Sequence, residues 1–580
     1  MKSWLTFIMA LLVCSAESEI LPAGRRATWN PGVAGGIPER STIFTNLSSG
    51  GGSEIAAAIA ACPSNQVVKL GSGEFVITNT LTLMPVWAGG VATRNGVTLR
   101  GSGTNTILRL TNNGNIYIRG ENVWSPIPTN IVRDWTSGYS QGLSNITIVS
   151  TGTNIYDSAA LRVGSILVLD QINDPSVVNI VSKDGSWATN SSGIRDSGTR
   201  AQRQATMVTG VSAETNITFT PPIAMTNWSA SRTPQSYFIG NPASRYSIEN
   251  MTIDASGSSW GSVIYIHSAT ECWISGVRFY KASSHSVDFT AAVNCALVDS
   301  DFVEAQSYGS GNYGITISVS SGVLVQNCAF DYISSPVLLN GGTTGNVIAY
   351  NYCTTNGVYY SVTNSWLPPS FDSHYVHSCM DLFEGNVGNS LTLDFTHGSG
   401  SHVTALRNRL TGRDKSTQTQ NTFPINIQAT NRYANLVGNV LGTAGYHTNY
   451  YIDATSLHLG GSPKTILKFG YIDDSGDTNN ADAMVMTSAL VHGNYDTVSV
   501  GQTWDSGIAD HAIPDSYYLS GKPAWFGNMT WPPINPSSPD LSDVPLIPAH
   551  ARWIGSNYMS SDVSSSITIG TATIGTLRTP

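Results

Sequence analysis

The sequence predicts an all-β chain folded as a right-handed parallel β-helix, a solenoid in which short strands form stacked coils. Its 580 residues exceed the usual size of one compact core. Only 12% of them are charged and 56 are glycine, which suits short strands and tight turns better than surface helices. Segments with one strand–turn–strand pattern also recur at spacings of 23, 28 and 22 residues, as expected for successive coils.

The N-terminus is typical of an export signal. Lys2 precedes an apolar run from Trp4 to Val13, and Cys14-Ser15-Ala16 offers small residues before a cut ahead of Glu17. Residues 1–16 are therefore predicted to be a signal peptide of a secreted, periplasmic or cell-surface protein, and lipidation of Cys14 ranks second. No later stretch is long and apolar enough to span a bilayer. The net charge of -9 argues against nucleic acid as a partner.

Residues 17–156 are predicted to hold an N-terminal cap and the first coils. The segment Ser53–Cys62 indicates a helix with Ser53 as its N-cap, and such a helix can cover the open apolar end of a solenoid. Strands are expected at Val67–Leu70, Phe75–Ile77 and Val97–Leu99. Residues 157–235 break the rhythm and are predicted to form a small β insertion. Asp170 and Asp174 within it could hold Ca²⁺, although capping of turns is favoured.

The central coils are predicted over residues 236–445. Six segments begin at Ile264, Val287, Ile315, Val337, Leu391 and Ile425. Each opens with alternating apolar residues, which places one strand face inward. Asn351, Asn408 and Asn439 share one position, and Asn tolerates the left-handed backbone of such turns. Cys272 and Cys295 align on adjacent coils, as stacked thiols or, less favoured, a disulfide. Residues 446–580 are expected to be irregular coils and a tail that pack along the solenoid or close its far end.

Two segments, QVVKLGSGEFVITNTLTL and GVTLRGSGTNTIL, resemble the first coils of the pectate-lyase-like (pectin-lyase-fold) superfamily. The coils from Ile264 to Leu441 continue the likeness. The chain is also similar to uncharacterised bacterial secreted β-helix proteins through DWTSGYSQG, LFEGN and RNRLTG, among others. The resemblance implies the fold but leaves activity open, because this fold carries lyases, hydrolases, esterases, epimerases and phage adhesins.

The candidate site is where the coils lose their regularity. A long loop, residues 363–378, and the turn after the strand at Leu391 are expected on the same side of consecutive coils. Titratable groups beside exposed aromatics suit a carbohydrate site. The predicted catalytic residues are Asp394, His397, His377, Glu384, Asp381 and Arg407; the predicted substrate-binding residues are Trp366, Phe371, His374, His402, Arg409 and Arg413. The spacing of His374 and His377 is too weak a signal for a metal site.

Several of these residues have a second interpretation. Glu384 stands at a position that includes inward-facing residues, so it is either buried with partners or turned to the cleft. The same two interpretations apply to Asp381. Asp394 and the histidines could also bond turn amides or face solvent. Arg407, Arg409 and Arg413 could neutralise uronate carboxylates, but pairing with neighbouring acids is favoured.

Two reactions on an extracellular polysaccharide fit these residues. The favoured one is β-elimination on an acidic polymer, with His397 or an Arg as base, Asp394 in support, and Ca²⁺ or Arg neutralising the carboxylate. The other is hydrolysis by paired carboxylates, Asp394 with Asp381 or Glu384. The polygalacturonase signatures are absent, and the pectate lyase pattern has no convincing match. A non-catalytic glycan-binding or adhesin module is a third hypothesis. A capped solenoid is expected to be monomeric.

Overall fold

A computed structural model describes residues 20–88, 91–120, 132–149, 161–180, 195–213, 215–259, 261–307, 311–354, 365–454, 464–472, 481–555, 567–569 and 572–574. The predicted signal peptide lies outside them. No helix in these ranges is long and apolar enough to cross a membrane.

The chain is a right-handed parallel β-helix, as predicted, in which each regular coil contributes three strands. One strand per coil belongs to a 12-stranded sheet, here called wall 1. Its strands are Thr80–Leu83, Asn115–Arg119, Ala243–Ser244, Ser262–Thr270, His285–Val293, Tyr313–Ser318, Ser335–Leu339, Phe371–Tyr375, Leu391–His397, Ile425–Ile427, Asn449–Asp453 and Thr465–Phe469.

The other two strands of each coil belong to a 22-stranded sheet, whose two strand rows are here called walls 2 and 3 in chain order. Its strands are Ile43–Leu47, Val67–Leu70, Gly73–Ile77, Thr98–Arg100, Thr106–Asn112, Ser247–Ser258, Trp273–Ala282, Ala296–Val298, Asp301–Ala305, Leu324–Gln326, Ala329–Asp331, Val347–Ala349, Tyr352–Thr354, Leu382–Glu384, Val387–Gly388, Thr404–Leu406, Arg409–Leu410, Asn435–Val437, Val440–Leu441, Leu490–His492, Asn494–Asp496 and Gly501–Thr503.

The coil interior is filled by side chains stacked from coil to coil. Phe279, Phe302 and Phe330 stack with ring centroids 4.7 and 4.4 Å apart, and period-two alternation along each strand points such residues inward. The six cysteines of the described ranges are buried and form no disulfide. Cys272 and Cys295 are therefore neighbouring thiols, the favoured of the two predicted arrangements.

An asparagine ladder lines the bend between walls 2 and 3. Asn351, Asn408 and Asn439 share this position as predicted, and Asn386 and Asn494 complete the row. The side-chain oxygen of Asn408 accepts from the backbone N–H of Asn386 at 3.0 Å, and Asn439 does the same for Asn408 at 2.9 Å. Because the bend would otherwise leave buried N–H groups unpaired, each Asn satisfies the coil before it.

The insertion is a closed, antiparallel six-stranded barrel. It begins earlier in the chain than the predicted position 157, with strands Arg133–Ser137, Asn145–Ile148, Ile166–Asp170, Arg203–Ser212, Asn216–Thr220 and Gln235–Ile239. Thr344 Oγ1 donates to the Arg203 carbonyl at 3.0 Å, so the barrel rests on the turns between walls 1 and 2. Asp170 forms ion pairs with Arg195 and Arg200, whose nitrogens lie 2.7 and 3.0 Å from its Oδ1. Asp174 forms an ion pair with Arg232. These ion pairs contradict the Ca²⁺ hypothesis for the two aspartates.

The N-terminal helix covers the open end, as predicted, with Ile55 and Ile59 buried against the first coil. It spans Gly52–Ala61 and its N-cap is Gly51, not Ser53, because Glu54 bonds back to the Gly51 N–H. The other helices are Met484–Ser488 and Pro548–Gly555, with short 3-10 turns at Ala23–Arg25, Asp196–Gly198, Ala230–Arg232 and Ala524–Phe526. Antiparallel hairpins pair Val86–Ala88 with Val91–Arg94 and Ile567–Ile569 with Ala572–Ile574.

Residues 504–555, here called the C-terminal segment, run back along walls 2 and 3. Arg407 donates to the carbonyls of Ile513 and Pro514, whereas Arg552 near the end of the segment reaches Asp301 on a much earlier coil. The irregular residues after 446 therefore pack along the solenoid, the first of the two predicted arrangements.

Candidate active site

A cluster of titratable side chains lies on the outer face of wall 1, where Phe371–Tyr375 and Leu391–His397 run side by side. Alternation turns Phe371, Ser373 and Leu393 inward, where each is at most 2% exposed. Asp372, His374 and Asp394 consequently point outward. The register shifts after the pair Ser373–Leu393, so that Tyr375 pairs with His397. Such bulges redirect side chains.

The geometry contradicts two predicted details. Residues 363–378 are not one loop, because Phe371–Tyr375 is a strand of wall 1. Asp394 and His397 likewise lie within a strand and not in the turn after it.

His374 and Asp394 form the centre of the cluster. His374 Nδ1 donates to Asp394 Oδ2 at 2.5 Å, and Asp394 Oδ1 accepts from the Thr396 N–H at 3.0 Å. Burial of the ring lowers the pKa of His374, but the carboxylates of Asp394 and Asp372 outweigh it and raise that pKa to about 9. At neutral pH His374 is therefore an imidazolium held in place by Asp394.

His397 and Tyr375 form a second pair beside the first. Their rings stack with centroids 4.2 Å apart and planes inclined by 23°. His374 meets His397 edge-on at 4.6 Å. Burial, and then the charge of Asp394, raises the pKa of Tyr375, so its phenol keeps its proton at neutral pH. An imidazole, a phenol and a fixed cation thus share one partly exposed patch.

The barrel limits the patch on one side. Asn179 and Ser399 exchange hydrogen bonds at 2.9 and 3.0 Å, which ties the barrel to the residues just after His397. Gly398 between them has φ of 109°, and a Cβ there would lie 2.6 Å from Val376 Cβ. A glycine is therefore required at this point of the DFTHGSG segment.

Asp372 is the acidic residue that sequence reasoning missed. One ligand atom from each of Asp372, His374 and Asp394 lies within 4.8 Å of the others. Two carboxylates and an imidazole suit a transition metal better than Ca²⁺, which takes six to eight oxygens. The donor set therefore does not fit the predicted Ca²⁺. Period-two alternation in FDSHY would have placed Asp372 beside His374, had the segment been interpreted as a strand.

The remaining predicted aromatic and histidine residues lie apart from the patch. Phe371 is a core residue, 1% exposed, so the prediction that it contacts substrate is wrong. Trp366 stands before the strand, at its opposite end from His374, with its backbone bridged to Gln420.

His377 and His402 are buried in the turn between walls 1 and 2. Both bond to Ser401 Oγ, at 2.9 and 3.0 Å, and His402 stacks on Tyr433. Burial lowers their pKa values to about 4 and about 3. Both rings are neutral and enclosed at neutral pH, which contradicts a place in an open cleft.

Asp381 and Glu384 are both fully buried. Asp381 accepts from Thr343 Oγ1 at 2.8 Å and from the N–H and amide of Asn346. Glu384 accepts from Tyr350, Ser516 and the Tyr517 N–H. Burial raises both pKa values to about 7. The structure thus selects the first of the two interpretations of Glu384, a buried carboxylate with partners.

The three arginines lie on walls 2 and 3 or the turn after them, and not beside His374. Arg407 holds the C-terminal segment through the carbonyls of Ile513, Pro514 and Ile534. Arg413 stacks over Tyr446 at 3.9 Å and donates to the Gln418 carbonyl. Arg409 is buried and donates to the Gly442 carbonyl. Of the three, Arg407 also pairs with an acid, Asp515, at 3.9 Å, whereas the hydrogen bonds of all three run to backbone carbonyls.

No family model and no curated protein sequence matches this chain. Solved structures similar to it include the tailspike gp61 of Pseudomonas phage phi297, at 11% identity and a TM-score of 0.44 over 73% of this chain and 65% of that one. The tailspike gp54 of Acinetobacter baumannii bacteriophage AP22, solved with a capsular saccharide, has 10% identity and a TM-score of 0.43 over 77% and 68%.

An alginate lyase from Paenibacillus is similar at 10% identity and a TM-score of 0.37 over 68% of this chain and 94% of that one. The likeness concerns the fold.

Proposed function

We propose that this chain is an exported enzyme that acts on an extracellular acidic polysaccharide and cleaves it by β-elimination. One observation carries the proposal: the stacked pair of Tyr375 and His397 shares a partly exposed patch with the imidazolium of His374. The patch lies on a long, flat strand wall, and such a wall can accept an extended polymer.

Each residue has one role in the proposed reaction. His397 removes the proton on C5 of a uronate, the bond between C4 and the glycosidic oxygen breaks, and a C4–C5 double bond forms. Tyr375 donates its phenolic proton to the departing oxygen. The proton taken by His397 then returns to the phenolate of Tyr375, whose ring stacks on the imidazole.

His374 supplies the positive charge that the substrate carboxylate needs. Removal of the C5 proton builds negative charge toward that carboxylate, and a fixed cation beside it stabilises the transition state. Asp394 keeps His374 protonated and oriented. We therefore assign this task to His374 and not to Ca²⁺ or an arginine, while Asp394 keeps the supporting role predicted from sequence.

Hydrolysis remains a second candidate because of one specific distance. Carboxylate oxygens of Asp372 and Asp394 lie within 4.8 Å of each other, close to the short separation of about 5 Å found in retaining glycosidases. Asp372 replaces Asp381 and Glu384 in this hypothesis, since both of those are enclosed.

The test is incubation of the purified chain with pectate, alginate, glycosaminoglycans, a neutral glucan and a xylan. Unsaturated uronates with ultraviolet absorbance, released together with new reducing ends, support the elimination. Reducing ends without absorbance would establish hydrolysis instead. Binding without either product would overturn both and leave a glycan-binding module. Mass spectrometry of the exported protein tests cleavage before Glu17, and size-exclusion chromatography tests the predicted monomer.

A further inference from the structure

A groove lies between wall 3 and the C-terminal segment, on a different wall from the candidate active site. It consists of two cavities of about 570 and 330 Å³, both within the size range of ligand pockets. Both are lined by Arg409, Val544 and Leu546, so they meet at Arg409. The proposed reaction uses none of these residues.

Arg409 is the only arginine or lysine common to both linings. It is 8% exposed, and its one hydrogen bond to a described residue runs from Nη1 to the Gly442 carbonyl at 3.1 Å. Asp543 and Asp540 act on it through their charge, without a hydrogen bond. No carboxylate of the described residues forms a direct ion pair with this buried guanidinium. Nε and Nη2 remain available to the groove.

A buried cation without a directly bonded counterion is costly, and a bound anion lowers that cost. The two free edges of the guanidinium form a planar fork that matches a carboxylate in two parallel hydrogen bonds. A carboxylate-bearing ligand is therefore the class that fits Arg409 best.

The rest of the groove suits a sugar ring on either side of that carboxylate. Trp531 and the prolines beside it line the first cavity. Tyr352 and His550 line the second as a stacked pair, with centroids 4.0 Å apart and planes inclined by 8°. Burial lowers the pKa of His550 to about 4, so this platform is neutral at neutral pH. The rim aspartates can accept hydrogen bonds from hydroxyl groups.

We propose that this groove is a second saccharide site, which binds a uronate of the polymer through Arg409 and holds it away from the cleavage site. The class of ligand rests on the proposed function, whereas the site itself rests on the cavities and on Arg409.

The experiment measures binding without turnover. Titration calorimetry uses the full chain with His397→Ala and short galacturonate or mannuronate oligosaccharides, and the same oligosaccharides with reduced carboxyl groups serve as the neutral comparison. Arg409→Lys keeps a charge but loses the fork and is expected to weaken binding about tenfold; Arg409→Met is expected to weaken it about 100-fold. Lys522→Met, which removes an exposed cation of the same segment, is the control and retains full affinity.

A second variant guards against misfolding at Arg409. Ser538→Trp fills the first cavity from an exposed rim position and is expected to weaken binding while the melting temperature stays unchanged. The proposal is overturned if both Arg409→Lys and Ser538→Trp bind like the parent, or if the neutral oligosaccharides bind equally well. Retained binding by a chain that cleaves no polymer would refute the proposed function and leave this site standing.

Discussion

The outer faces of wall 1 and of walls 2 and 3 carry similar polar residues but differ in what covers them. On wall 1, His374, Tyr375 and His397 stay partly exposed. On walls 2 and 3, Glu384 and Arg407 lie under the C-terminal segment and spend their hydrogen bonds on it. Outward position in a coil therefore makes a residue available for chemistry only where no later part of the chain packs on it.

The largest effect is expected on wall 1, where no later part of the chain covers the candidate residues. His397→Ala removes the proposed base, so kcat is expected to fall about 1000-fold on the polymer that the chain cleaves. The melting temperature should stay within a few degrees of the parent, because the ring lies at the surface of the coil. Initial rates of product formation and a thermal melt check both.

The matched control is His402→Ala, which removes an enclosed histidine and should lower stability while leaving kcat of the folded enzyme intact. Full activity in His397→Ala would disprove the assigned role even if elimination is the reaction.

The next largest effect is expected on walls 2 and 3, where the C-terminal segment covers the outer face. Glu384→Ala leaves the Tyr350 hydroxyl and the Tyr517 N–H buried without their acceptor, at an expected cost of about 3 kcal/mol in the free energy of unfolding. The C-terminal segment should become sensitive to protease, whereas the rate of the intact enzyme at wall 1 stays unchanged. Limited proteolysis followed by mass spectrometry locates the first cuts. Lost activity in undigested, folded protein would show that the two faces are not independent.

The pH dependence of stability distinguishes the two regions further, because the pKa values of His377 and His374 are shifted in opposite directions. The pKa of His377 is lowered to about 4, so the unfolded state takes up its proton first and stability falls as pH drops from about 6.5 to 4. The loss attributable to this ring reaches about 3 kcal/mol. The pKa of His374 is raised to about 9, so its stabilising contribution is present below pH 6.5 and fades as pH rises to 9.

Urea unfolding of the parent, His377→Gln and His374→Gln at pH 4.5, 6.5 and 9 separates the two. His377→Gln should lose the acid-sensitive part and His374→Gln the alkaline-sensitive part. The pKa values of Asp381 and Glu384 are raised to about 7, so these two groups stabilise the folded protein more as pH falls. Only differences between variants therefore report on the two histidines. Parallel pH curves for parent and His377→Gln would contradict the burial of a neutral ring.

Local patterns in the sequence predicted the coils and part of the site, and long-range packing explains the rest. Period-two alternation predicted the strands of the coils, and the shared position of Asn351 and Asn408 indicated the asparagine ladder. His374, Asp394 and His397 are neighbours as expected. The prediction for Phe371 is wrong because FDSHY is rich in polar residues and indicates a loop, whereas it forms a strand of wall 1. Glu384 and Arg407 were ambiguous because their partners, around residues 513–517, lie more than 100 residues away, and no periodicity links the two.

The smallest expected effect tests what the two faces have in common. Asn408→Ala removes the acceptor of the Asn386 N–H and the donor to the Phe383 carbonyl, and should cost about 1–2 kcal/mol in the free energy of unfolding. Because the ladder lies at the bend between walls 2 and 3, away from wall 1, kcat should not change in the folded protein. Asn408→Asp is a closer variant, because it keeps the acceptor oxygen and loses only the amide donor. Its free energy of unfolding should lie between those of the parent and of Asn408→Ala, unless burial of its charge dominates at neutral pH. Urea unfolding at pH 4 and pH 7 distinguishes these contributions, because protonation of the introduced carboxyl removes the charge and restores a donor. A ladder variant that lowers kcat at full stability would show that the coil register transmits to wall 1, and the two faces could then no longer be treated as separate consequences of what covers them.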